Sequence, residues 1–196
     1  MRVAFGLKAH SGWAALVVLG EQDGELVVVD RRRIELVEEQ WAKQPYHAAE
    51  EVELNEGRGL VKRGIAAANR IALREMRLAI KREERRNNDL VGCGLLVTNP
   101  MPKWTVDEIL AVHFRMHKAE GVLFRDALSS AAKKADVALV EIPEKTATLY
   151  AAKALKFSAD ELSESIKMLG KSAGPPWGKD QKEAALAATV VLRDLT

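Results

Sequence analysis

The chain has 196 residues, 47% hydrophobic and 30% charged, with a formal net charge of +2, which excludes a disordered or collagen-like polymer and leads us to expect one globular domain over residues 1–196. No run of about 18 apolar residues is present to cross a bilayer, and Cys93, the only cysteine, excludes an intrachain disulfide and a multi-cysteine zinc site. The opening MRVAFGLKAH is interrupted by Lys8 too early for a signal peptide, so a cytoplasmic protein with no membrane partner is the expectation.

In chain order, Val3 to Leu7, Trp13 to Leu19 and Glu25 to Ile34 read as β-strands joined by short turns, one of them ending in Asp23-Gly24. Three strands so tightly linked predict an antiparallel meander. Residues 35–59 are acidic and carry no clear period. From Leu60 to about Arg86 the residues Ile65, Ala68, Ala72, Met76 and Ala79 recur at helical spacing. Leu90 to Val97 reads as a buried strand, and Asn99-Pro100-Met101-Pro102 breaks the chain. Thr105-Val106-Asp107-Glu108 is a capping box opening a helix to about Ala135, with a kink expected at Gly121. Val137 to Ile142 is the fifth strand, stopped by Pro143. Ser158 caps a helix closed by Gly170, and Asp180-Gln181-Lys182-Glu183 has the spacing of a capping box on the last helix.

The order is β-β-β-α-β-α-β-α. Strands reached through helices join as parallel crossovers. The expected fold is therefore α/β and RNase H-like, a mixed five-stranded sheet of order 3-2-1-4-5 with helices on both faces.

Several motifs give this order a likeness. Gly6-Leu7-Lys8 with Gly12-Trp13-Ala14, Gly121 followed by a helix, strand and Ile142-Pro143-Glu144-Lys145, and Asp180-x-x-Glu183-Ala-Ala-Leu-Ala are arranged in one sequence. Together they resemble the RuvC-type Holliday-junction resolvases over about two thirds of the chain. The resemblance implies phosphodiester hydrolysis with Mg²⁺ or Mn²⁺, a DNA or RNA partner and a homodimer. It also implies metal-binding carboxylates at the ends of the first and fourth strands and at the start of the last helix. Here the first position is Lys8, the fourth strand ends in Thr98-Asn99, and only Asp180 and Glu183 match. A lysine in place of an aspartate changes the local charge by two units and repels a cation.

Asp180 and Glu183, three apart on one helix face, are either a capping box or the remnant of a metal site, with Lys8 pairing to Asp180 as a further reading. His113 and His117 have a transition-metal spacing, with Glu120 one turn on. Because His113 continues the apolar face of Val106, Ile109 and Leu110, these histidines are expected to be core or half-buried. Added Zn²⁺ or Ni²⁺ is then expected to leave the melting temperature unchanged, with Glu120 facing the sheet near the catalytic position. His10, placed in the first hairpin turn beside Ser11, reads as a ligand contact and not as half of a nucleophile–base pair. Trp177, in a Gly/Pro loop, reads as core, and no Walker-type glycine loop is present.

Charge is segregated. Residues 35–56 hold seven Glu against one Lys, a net of −6, and residues 62–86 hold nine Lys/Arg against three Glu, a net of +6. Arg70, Arg74, Arg77, Lys81 and Arg85 form one helical stripe that can follow phosphates or be covered by the acidic segment. Three functions are compatible with these features. The first is a divergent RuvC-like nucleic-acid-binding or interaction module without the usual metal cluster, with Lys8 and the arginine stripe as contacts. The second is an active nuclease in which Glu120, Glu141 or Glu144 joins Asp180 and Glu183. The third is an unrelated hydrolase or small-ligand binder using His10, His117 and Glu120.

Overall fold

In the computed structural model, which describes residues 1–194, a five-stranded sheet has the order β3-β2-β1-β4-β5. β1 (Arg2–His10), β2 (Trp13–Gln22) and β3 (Glu25–Glu35) are antiparallel neighbours. β4 (Asp89–Val97) runs parallel to β1, and β5 (Leu139–Pro143) parallel to β4. This is the α/β, RNase H-like arrangement that the element order implies. The meander forms because the turn at Asp23-Gly24 takes positive φ at both residues, the twist that closes a two-residue hairpin. The parallel pairs form because a helix carries the chain back across the sheet before each.

The strands run further than their apolar cores suggest. β1 continues through His10, so Lys8 and His10 are strand residues and not part of the turn. Antiparallel pairing to β2 as far as His10↔Trp13 supplies the hydrogen bonds that hold it extended.

Among the described residues seven α-helices surround the sheet: α1 (Pro45–Ala48), α2 (Leu54–Arg85), α3 (Val106–Leu110), α4 (His113–Lys134), α5 (Ala147–Leu155), α6 (Ala159–Ala173) and α7 (Lys179–Asp194). Alternation along each strand divides the core in two. Val3, Phe5, Leu7 and Ala9 of β1 pack with Cys93 and Leu95 against Ala68, Ala72 and Met76 of α2 and Phe124, Ala127 and Leu128 of α4. Ala4, Val17, Leu19, Leu96 and Ile142 face the other way, against α5, α6 and α7. Both faces are therefore covered by helices.

Several features depart from the sequence expectations. The 35–59 segment folds into short helical turns, including α1, before α2 begins at Leu54. The expected helix from Thr105 to Ala135 is broken at Ala111–Val112 and not at Gly121. The Thr105 capping box does form, but it serves only the five-residue α3. Gly121 is exposed, with no atom within 4 Å of where a Cβ would lie, so it is not a close-packing glycine. α5 was not legible, since only Ala147 and Ala151 of its nine residues are buried.

Candidate functional site

Period-two alternation puts Ala4, Gly6 and Lys8 of β1 on the face that receives α7. Gly6 lies beside Gly94 of β4 in the parallel register. A Cβ at Gly6 would overlap the Ala184 carbonyl, and one at Gly94 the Ala187 carbonyl. Two bare positions side by side thus let the α7 backbone rest directly on the sheet. That seat fixes the first turn of α7 over the end of β1.

The consequence is a closed ionic cluster. Lys8 is only 4% exposed. Its Nζ lies against Glu144 Oε1, just after β5, and 2.9 Å from Glu183 Oε2 on α7. Arg125 of α4 donates to Glu144 Oε2 at 2.9 Å and to the Gly121 carbonyl. Lys179 stands 3.6 Å from Glu183 Oε1. Burial raises the Glu144 carboxyl pKa, but hydrogen bonds and charge from Lys8 and Arg125 outweigh it, so the net displacement is downward and the group is ionised at neutral pH.

Asp180 is not paired to Lys8. Its Oδ1 lies 2.9 Å from His10 Nε2, and the His10 ring stacks on Trp13 at 4.3 Å between centroids. The Arg33 guanidinium covers Trp13 at 4.0 Å. Nor do Asp180 and Glu183 form a capping box. Gly178 N–H is satisfied by Gln181 Oε1 at 2.9 Å, which leaves Glu183 free to reach Lys8.

As a donor set, this end of the sheet does not suit Mg²⁺ or Mn²⁺. Hard cations need several converging oxygens with spare negative charge. Here the two carboxylates that converge do so on an ammonium, and a metal would have to displace a buried lysine. Among the described residues no trio of carboxylates gathers closely enough to hold one ion. Lys8, expected as a phosphate contact, is enclosed and does not present its charge to a polyanion. Glu141, another acid weighed for the site, accepts from Ser129 Oγ at 3.1 Å on α4. There burial and the charge of Glu141 raise the neighbouring Asp126 carboxyl pKa.

Glu120 lines a cleft with Ala9, His10 and Ser11, but its carboxylate is engaged by α1. It is buried, and its Oε1 accepts from the backbone N–H groups of Tyr46 and His47 at 3.1 Å. Its Oε2 lies 2.6 Å from His47 Nδ1. With Gln44 Nε2 also donating to Oε2 at 3.5 Å, this carboxylate is a structural anchor for α1. Gly64 of α2 makes room for that anchor, because a Cβ there would come 2.6 Å from the Pro45 Cβ. His113 and His117 are exposed, not core or half-buried. The break at Ala111–Val112 makes His113 the first residue of a new helix and detaches it from the apolar face of α3.

On α2, Arg70 and Arg74 each place a guanidinium 2.9 Å from Glu38 of the acidic segment. Their hydrogen bonds hold the Glu38 carboxyl below the usual range. Arg77, Lys81 and Arg85 are exposed. Sequence reasoning missed Arg125 and His47. It also missed a cationic–aromatic patch, where Arg115 lies 4.9 Å over Trp104 and Lys118 lies 5.2 Å over Phe114. The only sequence signal for that patch is the proximity of Trp104 and Phe114 to basic residues. Trp177 is half-buried, donating to the Ile166 carbonyl at 3.0 Å.

No protein-family model matches the sequence, and no curated protein does. Solved structures are similar in shape, two of them as follows. One is of Thermus thermophilus RuvC, at 11% identity and a TM-score of 0.49, covering 96% of this chain and 92% of that one. The other is of T. thermophilus RuvC in complex with a Holliday junction substrate, at 10% identity and a TM-score of 0.49, covering 96% and 91%. The fold assignment itself rests on the strand order, the mixture of antiparallel and parallel pairs, and the helices on both faces.

Proposed function

We propose that this chain is a nucleic-acid-binding module of RNase H-like fold in which a lysine-centred ion cluster stands in place of a metal-dependent nuclease centre. The observation that carries the proposal is the buried Lys8 ammonium held by Glu144 and Glu183. It engages Glu183, one of the two acids that match the resemblance, and Glu144, an acid weighed as a substitute ligand. The α2 stripe supports the binding half. Arg77, Lys81 and Arg85 are exposed and make no ion pair among the described residues, and the Glu38 contacts of Arg70 and Arg74 are at the surface, where salt screens them and phosphate competes. A second cationic surface, with Lys118, Arg125 and Lys145, lines the cleft beyond the end of β4.

The test uses labelled branched, single-stranded and duplex DNA, and RNA, with Mg²⁺ or Mn²⁺ present. The expected result is binding that weakens with salt and no cleavage. Arg77→Glu/Lys81→Glu should lower the slope of log affinity against log salt by about 2. Lys118→Glu/Lys145→Glu provides the same comparison for the cleft. Metal-dependent cleavage that disappears in Asp180→Asn would refute the proposal. Absence of binding to every substrate would refute its nucleic-acid half.

A further inference from the structure

Among the described residues, the one group of histidines that could hold an ion joins two elements far apart in sequence. His47 of α1 meets His113 and His117 of α4, and one ring nitrogen from each lies within 4.8 Å of the other two. The rings are 4.5 to 5.0 Å apart between centroids. The surrounding hydrogen bonds specify which nitrogens are available. Glu120 takes His47 Nδ1 at 2.6 Å and Glu50 takes His113 Nδ1 at 3.0 Å, leaving Nε2 of both rings for another partner. His113 Nε2 and His117 Nε2 stand 3.0 Å apart. His47 Nε2 is buried and has no hydrogen-bond partner, which is a cost unless something binds it. A carboxylate on one imidazole nitrogen with the other aimed inward is the outer support that metal-binding histidines use, since it fixes the tautomer and makes the ligand nitrogen more basic.

We propose that His47, His113 and His117 form a site for a divalent first-row transition metal of the Zn²⁺ class, with Glu120 and Glu50 as positioning residues. Three neutral imidazoles suit Zn²⁺ and not Mg²⁺ or Ca²⁺, which prefer oxygen. Bonds of about 2.0–2.1 Å in a tetrahedral arrangement would set the nitrogens about 3.3 Å apart. The His113–His117 separation is already close to that, and the exposed positions of these two side chains let them adjust toward His47. Three protein ligands leave a fourth position for water or an added ligand. The ion would tie α1 and the acidic segment to the start of α4. The expectation that Zn²⁺ leaves stability unchanged is reversed here. The reason is the third histidine, 66 positions before His113, which the i, i+4 spacing alone does not reveal.

The test is titration of tag-free, chelator-treated full-length protein with Zn²⁺, read by calorimetry and by thermal melting, with Mg²⁺ as the comparison. The expected result is one Zn²⁺ per chain, a melting temperature raised by several degrees at about 100-fold excess over Kd, and no response to Mg²⁺. Co²⁺ should give the visible absorption of a tetrahedral nitrogen site. His113→Ala/His117→Ala alters only exposed side chains, so it should fold normally and lose at least about 100-fold in affinity. Glu120→Gln should weaken binding about 10- to 100-fold. Absence of saturable Zn²⁺ binding, or binding unchanged in the double histidine variant, would overturn the proposal.

Discussion

Replacing Lys8 by methionine removes the cation from a buried cluster while keeping the length of the side chain. In the native protein the Lys8 side chain is 5% exposed, and those of its partners Glu144 and Glu183 are 26% and 24% exposed. Deleting one member of such a pair typically costs about 3–5 kcal/mol, because the remaining charge stays out of water without compensation. Arg125 still covers one oxygen of Glu144, so the lower part of that range is expected. For a chain of this size about 3 kcal/mol corresponds to a fall in melting temperature of roughly 6–12 °C. The direction with pH follows from Glu144, whose folded pKa is held down by Lys8 and Arg125. Such a group stabilises the fold above its unfolded pKa and loses that contribution as pH falls through the folded value. The gap between Lys8→Met and the native protein should therefore be full at pH 7 and narrow below about pH 4.5, where carboxylates take up protons. Urea unfolding at pH 7, 5 and 4 measures it. Lys8→Met/Glu183→Gln, which removes the unpaired carboxylate and leaves Glu144 on Arg125, should recover part of the loss. A single variant within about 1 kcal/mol of the native protein at pH 7, or a gap that widens in acid, would refute the reasoning.

Two further outcomes follow from the packing. Gly6→Ala drives a methyl group into the Ala184 carbonyl and should cost at least about 1–3 kcal/mol, because the obstacle is backbone and not a movable side chain; a melting temperature unchanged by the substitution would show that α7 is not seated on the sheet as described. The Cys93 thiol is fully buried and its pKa is pushed up to about 12 by that burial, so a thiol reagent should label the native protein far more slowly than the protein in denaturant; equal rates would contradict the core placement.

The sequence by itself determined the plan of the sheet. Alternating apolar residues, Asp23-Gly24, and helical periods before Leu90 and Val137 are local signals, and each restricts the nearby backbone to one conformation. It also exposed Lys8 as the residue at odds with the resemblance, because strand position is readable from a few neighbours. Other features depended on which distant side chains meet. Lys8 reaches Glu144 and Glu183 because paired Gly6 and Gly94 admit α7 and a parallel crossover delivers β5. Asp180 turns to His10 because β1 extends past its apolar run. The Glu120 carboxylate is taken up by α1, and His47 joins His113 and His117, because Gly64 lets Pro45 approach α2. Such meetings carry no local period in sequence. They are fixed by strand register, by helix seating on bare glycines and by the breaks between helices, and these exist only once the chain has packed.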